Sequence, residues 1–393
     1  MKTVAQVRAD IPVLSKYAFL NAGTLFPTPQ PVMQAFFDAY RRWHELGAGL
    51  PQHYVAWRET VIDEVRQRLA DFLGCSPLEL AFTQNATEGV NIIAFGIDWE
   101  PGDEVVITDA EHEANAVVWL YNEQRFGIKL RIVPTAVTPD QFLQNLRQAL
   151  NERTRLVSIA HVLSHTGQVL PVEEVVNLAH QNGSLVLLDG AHAVGQLPVD
   201  LRALDCDFYT TNGHKWLFGP AGTGVLYVRS DRIELVRPSF MGDVAQKQWD
   251  YPRGRTFVPP QGARRYEYAT RNWPAIVGLG AGLDYVNQIG LDNIRARVLQ
   301  LTEQLKADLL TVPGCRLHSP REARWSSGLV AFEIAGQNAK ELIAYLEQRG
   351  ICPRWLNDRV IRVTVAYFTL EQELADMVAA LKEYLQQAPA KDC

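Results

Sequence analysis

Leu185-Val186-Leu187-Leu188-Asp189-Gly190-Ala191-His192 is the stretch that decides the fold. Four apolar residues in a row, closed by a carboxylate and a glycine, read as a strand buried on both faces whose carboxyl end opens into a crevice. Comparable apolar runs lie at 79–83, 104–108, 129–133, 155–160, 208–211 and 224–228. Between them, 111–124, 139–150 and 172–181 carry apolar residues at the helical spacing i, i+3, i+4. Strand and helix in alternation predict an α/β fold, a mostly parallel sheet with helices on both faces. Ligands of such sheets sit at the carboxyl ends of the strands, where Asp189 stands.

Further along the pattern breaks. Residues 250–268 are rich in Pro, Gly and Arg, as in Tyr251-Pro252-Arg253-Gly254-Arg255, and predict a long functional or mobile loop. Residues 274–310 read as one long helix, followed by a strand at 329–334, a helix at 339–348, a strand at 361–365 and a helix at 370–385. The expected organisation is an N-terminal segment (1–20), a large α/β domain (21–270), and a connector helix with a smaller α+β C-terminal domain (271–393). Residues 386–393 read as a frayed tail.

The 393 residues suffice for two or three domains, and 47% hydrophobic against 21% charged residues is the balance of a globular protein with a large core. A formal net charge of −6 gives no electrostatic basis for a nucleic acid or an anionic membrane as partner. No apolar run approaches the roughly 20 residues of a membrane helix, and residues 1–8 lack a secretory core. The five cysteines, Cys75, Cys206, Cys315, Cys352 and Cys393, are odd in number and scattered, which fits neither a disulfide framework nor a zinc site and points to a reducing cytoplasm. His161 and His165 have a spacing that suits a metal on a helix, but they follow a strand and lack a carboxylate partner, so no metal is expected.

Lys215 lies in Thr211-Asn212-Gly213-His214-Lys215-Trp216, ahead of the turn Gly219-Pro220-Ala221-Gly222-Thr223-Gly224. A lysine amine is protonated and inert at neutral pH unless burial or nearby cations lower its pKa, after which it can bond to an aldehyde. An ionised carboxylate such as Asp189 favours a protonated pyridine nitrogen. Each has a plain alternative, Asp189 as a helix cap and Lys215 as a solvated loop residue. Their joint context makes the chain an enzyme candidate with pyridoxal 5'-phosphate (PLP) as cofactor. Asn85-Ala86-Thr87-Glu88-Gly89 follows a strand and opens a helix, so its backbone N–H groups face an anion-binding position, although Asn85 alone reads equally well as a cap.

Asp189-Gly190-Ala191-His192, Asp207-Phe208-Tyr209, Gly213-His214-Lys215 and the run from Gly222 to Val228 resemble the class V aminotransferase group of fold-type I PLP enzymes, which includes the cysteine desulfurases. The resemblance covers nearly the whole chain and implies a seven-stranded-type sheet. It implies that Lys215 carries the cofactor, that Asp189 pairs with the pyridine nitrogen, that His192 and Ser164 lie near the ring oxygen, and that His112 stacks on the ring. It also implies phosphate contacts from Ala86, Thr87, Asn212 and His214 and, across a homodimer, from Thr270. Asn21, Ala22, Gly23 and Arg354 fall on the substrate side. Arg362 matches the family arginine for the α-carboxylate of an amino-acid substrate, a group its planar fork suits better than lysine would.

Cysteine desulfurases attack the substrate sulfur with a cysteine on a loop ahead of the Arg362 strand. Here that stretch, Ile351-Cys352-Pro353-Arg354-Trp355-Leu356-Asn357-Asp358-Arg359, is shorter and lacks the usual His-Cys segment, and Ser164 replaces the usual Asn. Cys352 reads as a core residue rather than a sulfur carrier. What remains suffices for β-elimination, in which the lysine amine takes the Cα proton and a thiolate or persulfide leaves. The chain thus looks most like an L-cysteine/L-cystine C–S lyase yielding pyruvate, ammonia and sulfide or cysteine persulfide. Arg354, Arg359 or the arginines of 253–265 would take the distal carboxylate of cystine, and an iron–sulfur acceptor protein is the implied recipient of the sulfur. The alternatives are a class V aminotransferase or epimerase-like enzyme, or a desulfurase using Cys352.

Overall fold

A computed structural model describes residues 1–393 apart from 48, 137, 252 and 388–393. Pro252 of the expected loop and most of the expected tail, Cys393 included, lie outside the described residues. Seven strands form the central sheet: β1 (Leu80–Thr83), β2 (Glu104–Thr108), β3 (Lys129–Val133), β4 (Thr154–Ala160), β5 (Leu185–Asp189), β6 (Phe208–Asn212) and β7 (Gly224–Val228). Their order is β1-β7-β6-β5-β4-β2-β3, with β7 antiparallel to both neighbours and every other pair parallel. The α/β fold with a mostly parallel sheet is therefore as expected.

Side-chain alternation explains the layers. Val105 and Ile107 of β2 pack with Ile92, Ile93 and Trp119 from helices Ala86–Gly96 and Glu113–Phe126 on one face. Val106 points the other way and joins Val157, Val186 and Leu188, together with residues of helices Val172–Gln181 and Trp273–Ile289. Each fully buried Val or Leu contributes roughly 1.5–3 kcal/mol of burial free energy. The reversal at β7 also follows from the chain. Only residues 213–223 connect β6 to β7, too few for the crossover that a parallel neighbour requires. That short reversing connection carries Lys215.

A second sheet contains β8 (Cys315–Leu317), β9 (Leu329–Ile334), β10 (Arg354–Trp355) and β11 (Val360–Thr364), antiparallel in the order β8-β9-β11-β10. Its core gathers Leu305, Leu309, Val330, Phe332, Leu342 and Leu381, drawn from the sheet and from helices Leu291–Leu309, Ala339–Glu347 and Glu371–Gln387. The N-terminal segment joins this corner. Ala18 and Phe19 pair in parallel with Ile351 and Cys352. Leu20 then donates its N–H to Cys352 O at 3.1 Å and accepts from the Thr364 N–H at 2.7 Å.

Two expectations need correction. The single helix over 274–310 is two, Trp273–Ile289 and Leu291–Leu309, parted at Gly290, whose φ of 88° ends the first. The stretch 250–268 holds regular structure: an antiparallel ribbon of Gln248–Asp250 with Thr256–Val258, and a 3-10 turn at Gly262–Tyr266. Asp250 closes the ribbon by accepting the N–H groups of Arg253 and Gly254. No helix among the described residues is long and apolar enough to cross a membrane, and no described group of three or more His, Cys, Asp or Glu could hold a metal.

Candidate active site

The carboxyl ends of β4, β5 and β6, with the starts of helices Ala86–Gly96 and Glu113–Phe126, surround a narrow cleft. Ala86, Thr87, His112, Ser164, Asp189, His192, Asn212 and Lys215 all line it. Asp189 ends β5, is 5% exposed, and accepts the Ala191 N–H at 2.9 Å. Lys215 is 7% exposed, and its Nζ lies 3.0 Å from His192 Nε2. Burial lowers its pKa to about 8; Arg362 and Arg354 push the same way, and Asp189 opposes them. Burial first, and then the Lys215 charge, hold His192 well below the usual histidine range.

His112 is the N-cap of helix Glu113–Phe126, with Nδ1 accepting the Ala114 N–H at 3.1 Å. The cap and the cleft thus share one imidazole: its Nδ1 serves the helix while the residue lines the cavity. Burial and the charge of Lys215 lower its pKa. At the start of helix Ala86–Gly96, Asn212 Oδ1 accepts the Ala86 N–H and Asn85 Oδ1 accepts the Glu88 N–H, both at 2.9 Å. Thr87 is left as the first-turn N–H outside these bonds among the described residues, at the positive end of the helix dipole. Asn212 therefore fastens helix Ala86–Gly96 to β6 through its oxygen.

These residues suit PLP on a test the structure itself provides. His214 precedes Lys215 but does not itself line the cleft, and its Nδ1 is buried with no hydrogen-bond partner among the described residues, a costly state that a group from outside the chain would relieve. A buried amine, a buried carboxylate and a helix N-terminus border the same cleft. Thr270 stands apart, exposed beside a separate cleft with Gln84, Gly222 and Arg271.

Arg362 of β11, expected on the substrate side, is 4% exposed. Its guanidinium donates to Ser164 O at 2.9 Å and to Thr24 Oγ1 at 3.1 Å, while Nε has no partner. Burial, and then Arg354, lower its pKa to about 10. A buried cation that bonds only neutral oxygens is unfavourable unless an anion completes it. Arg354 donates to the same Thr24 Oγ1 at 2.8 Å, and the Thr24 hydroxyl donates to Asn21 Oδ1 at 2.8 Å. Gly23 gives its N–H to Thr364 Oγ1, and Ala22 is fully buried. Among the loop arginines, Arg264 pairs with Asp63 and Arg265 with Glu234, so neither is free for a ligand. Arg359 spends its backbone N–H on Asn357 in the turn between β10 and β11.

Cys352 is half-buried, and burial raises its thiol pKa. None of the described cysteines lines the cleft. His161 is a core residue: it sits 3.0 Å from the Tyr209 hydroxyl, and burial pushes its pKa down to about 4. Two contributors were not singled out from the sequence: Thr24, which follows Gly23, and Trp216, which follows the lysine and donates to His192 Nδ1. His165, weighed from the sequence only as a metal ligand, meets Ser164 Oγ at 3.3 Å amid the fields of Glu113, Arg362 and Arg354.

The model of the aminotransferase class-V family matches residues 17–355. Cysteine desulfurase of Dickeya dadantii (strain 3937) is 33% identical over 404 aligned positions that cover 96% of each chain. Among solved structures, a variant of C-DES with glycine covalently linked to the PLP cofactor is similar with a TM-score of 0.89 at 30% identity, over 96% of this chain and 99% of that one. The complex of the cystine C–S lyase C-DES with its reaction product, cysteine persulfide, gives 0.88 at 30% identity, over 95% and 99%.

Proposed function

Since the chain belongs to the class-V aminotransferase family, we propose that this PLP-dependent carbon–sulfur lyase acts on L-cystine and L-cysteine by β-elimination. The products are pyruvate, ammonia and cysteine persulfide or sulfide. The observation that carries this reading is the convergence of Arg354 and Arg362 on one hydroxyl, in a site where no described cysteine lines the cleft. Cystine has two carboxylates for two guanidiniums. Its leaving group, a persulfide, is also a weaker base than a thiolate.

Lys215, Asp189, His112, His192, Thr87 and His214 would hold PLP, with Asn212 fixing the helix at its phosphate end. Bound there, PLP supplies the electron sink that makes a substrate Cα–H acidic. The chain's own residues do the rest. Lys215 Nζ accepts the Cα proton, a task suited to an amine whose pKa has been brought down to about 8. Arg362 grips the α-carboxylate through two N–H groups and so fixes which bond at Cα is presented. Arg354 would hold the distal carboxylate. In a homodimer, Thr270 of the partner subunit would complete the phosphate site.

The name of the Dickeya relative favours a second reading, desulfuration by a cysteine nucleophile. A nucleophilic thiol needs a lowered pKa and access, and Cys352 has a raised one and a place in strand pairing. Pyruvate and sulfane sulfur, measured from cystine and cysteine without a keto-acid acceptor, separate the readings. Loss of sulfur release in Cys352→Ala would overturn the lyase assignment. Persulfide released in the cytoplasm would serve an iron–sulfur acceptor protein.

A further inference from the structure

Trp216, the residue after the cleft lysine, is 2% exposed and tightly held. Its ring lies 4.7 Å from that of Phe26. Gly195 permits its close approach, since a Cβ there would come within 2.6 Å of the Trp216 carbonyl. From this fixed position Trp216 Nε1 donates to His192 Nδ1 at 3.4 Å, and on the far side of the imidazole Nε2 lies 3.0 Å from Lys215 Nζ.

An indole N–H can only donate, so Nδ1 must be the accepting nitrogen, and a neutral imidazole then carries its proton on Nε2. That N–H faces Lys215. A lysine ammonium has only donors to offer, and two donors cannot bond each other; the unprotonated amine has the lone pair that accepts. Without the indole, the imidazole proton is free to move to Nδ1, and Nε2 would accept from an ammonium instead. We infer that Trp216 is a positioning residue that fixes the Nε2–H tautomer of His192 and, through it, favours the amine form of Lys215.

Burial of both His192 and Lys215 works in the same direction. The other charged or titratable groups that face Lys215 are Asp189, Arg354, Arg362, His112 and His214; Asp189 favours the ammonium and the arginines disfavour it. The inference rests on the reading of Lys215 as the base. Its readouts are a tautomer and an amine titration, which are decided whether or not any substrate is turned over, so its failure and that of the lyase assignment are distinguishable.

The experiment is nitrogen-15 NMR of the full-length protein, with and without PLP, joined to a pH titration of Lys215 in the PLP-free protein followed by reductive methylation with carbon-13 formaldehyde. In wild type His192 Nδ1 should show the shift of an unprotonated nitrogen. Trp216→Phe keeps the bulk and removes the donor; it should move population to Nδ1–H and raise the Lys215 midpoint by roughly one pH unit, about tenfold less amine at neutral pH. Added to His192→Gln, Trp216→Phe should raise it no further, because the effect passes through the imidazole. A protonated Nδ1 in wild type overturns the inference, even if Trp216→Phe does not fold. An unchanged tautomer and midpoint in a folded Trp216→Phe also overturn it.

Discussion

Arg354 and Arg362 donate to the same atom, Thr24 Oγ1, at 2.8 and 3.1 Å, although two guanidinium ions repel each other. The repulsion adds to burial in lowering the pKa of Arg362. Cations held together against their mutual field are placed for anions. Charge-assisted hydrogen bonds are worth about 1.5–3 kcal/mol, or roughly 10- to 150-fold in affinity. Arg354→Ala should therefore lose kcat/KM for cystine by a factor in that range and change little with cysteine, while Arg362→Ala should lose both. Steady-state kinetics with the two substrates decides this, and an equal loss on both in Arg354→Ala would remove the distal-carboxylate role.

The depressed pKa of Lys215 has a direct kinetic sign. An amine brought down from 10.5 to about 8 is roughly one tenth unprotonated at pH 7, against a few parts in ten thousand for a free lysine. Since only the unprotonated form reacts with an aldehyde, the rate at which PLP-free protein captures PLP should climb about tenfold per pH unit below 8 and level off above it. Stopped-flow absorbance measures this. A rise that continues to pH 10 would show that burial does not act on this amine as argued.

Cys352→Ala should leave sulfur release and pyruvate formation at wild-type rates. The thiol is half-buried and lines no part of the cleft. Its loss should cost less than about 1.5 kcal/mol of stability, as for a small, partly buried change. Urea unfolding and the sulfane-sulfur assay check the two halves independently.

Glu267 and Arg66 form a buried pair at 2.6 Å, with Glu267 also accepting the Phe82 N–H of β1 at 2.8 Å. Breaking such a pair leaves Arg66 only its longer, 3.3 Å bridge to the partly exposed Asp63, at a cost toward the lower end of about 3–5 kcal/mol. Glu267→Gln should lower the urea midpoint accordingly. A change under 1 kcal/mol would mean that water reaches Arg66. The same carboxylate lies three positions before Thr270, so PLP affinity should weaken as well if that loop serves a partner's phosphate site.

The central sheet could be read from the sequence because strands buried on both faces leave continuous apolar runs, and because Asp189 and Lys215 lie at or just beyond the ends of adjacent strands. The break at Gly290 could not. Leu283, Val286, Ile289 and Ile294 keep burying one face through it, so the periodicity shows no seam. The ribbon at 248–258 is exposed on both strands and has no alternation to betray it. Thr24 escaped notice because its partners lie 330 and 338 positions away. Trp216 escaped because its role depends on which imidazole nitrogen it meets, and sequence patterns carry no such detail.

The pairing of Ala18 and Phe19 with Ile351 and Cys352 bears on how this polypeptide is made. The ribosome delivers Ala18 and Phe19 more than 300 residues before their partners Ile351 and Cys352. Until the later segment is made, Leu20 waits for Cys352 and Thr364, and the Thr24 hydroxyl waits for its guanidinium donors Arg354 and Arg362. The corner that would recognise a carboxylate is then assembled after the central sheet, and a nascent chain halted short of Arg362 would have its lysine and its sheet but nowhere to seat an amino acid.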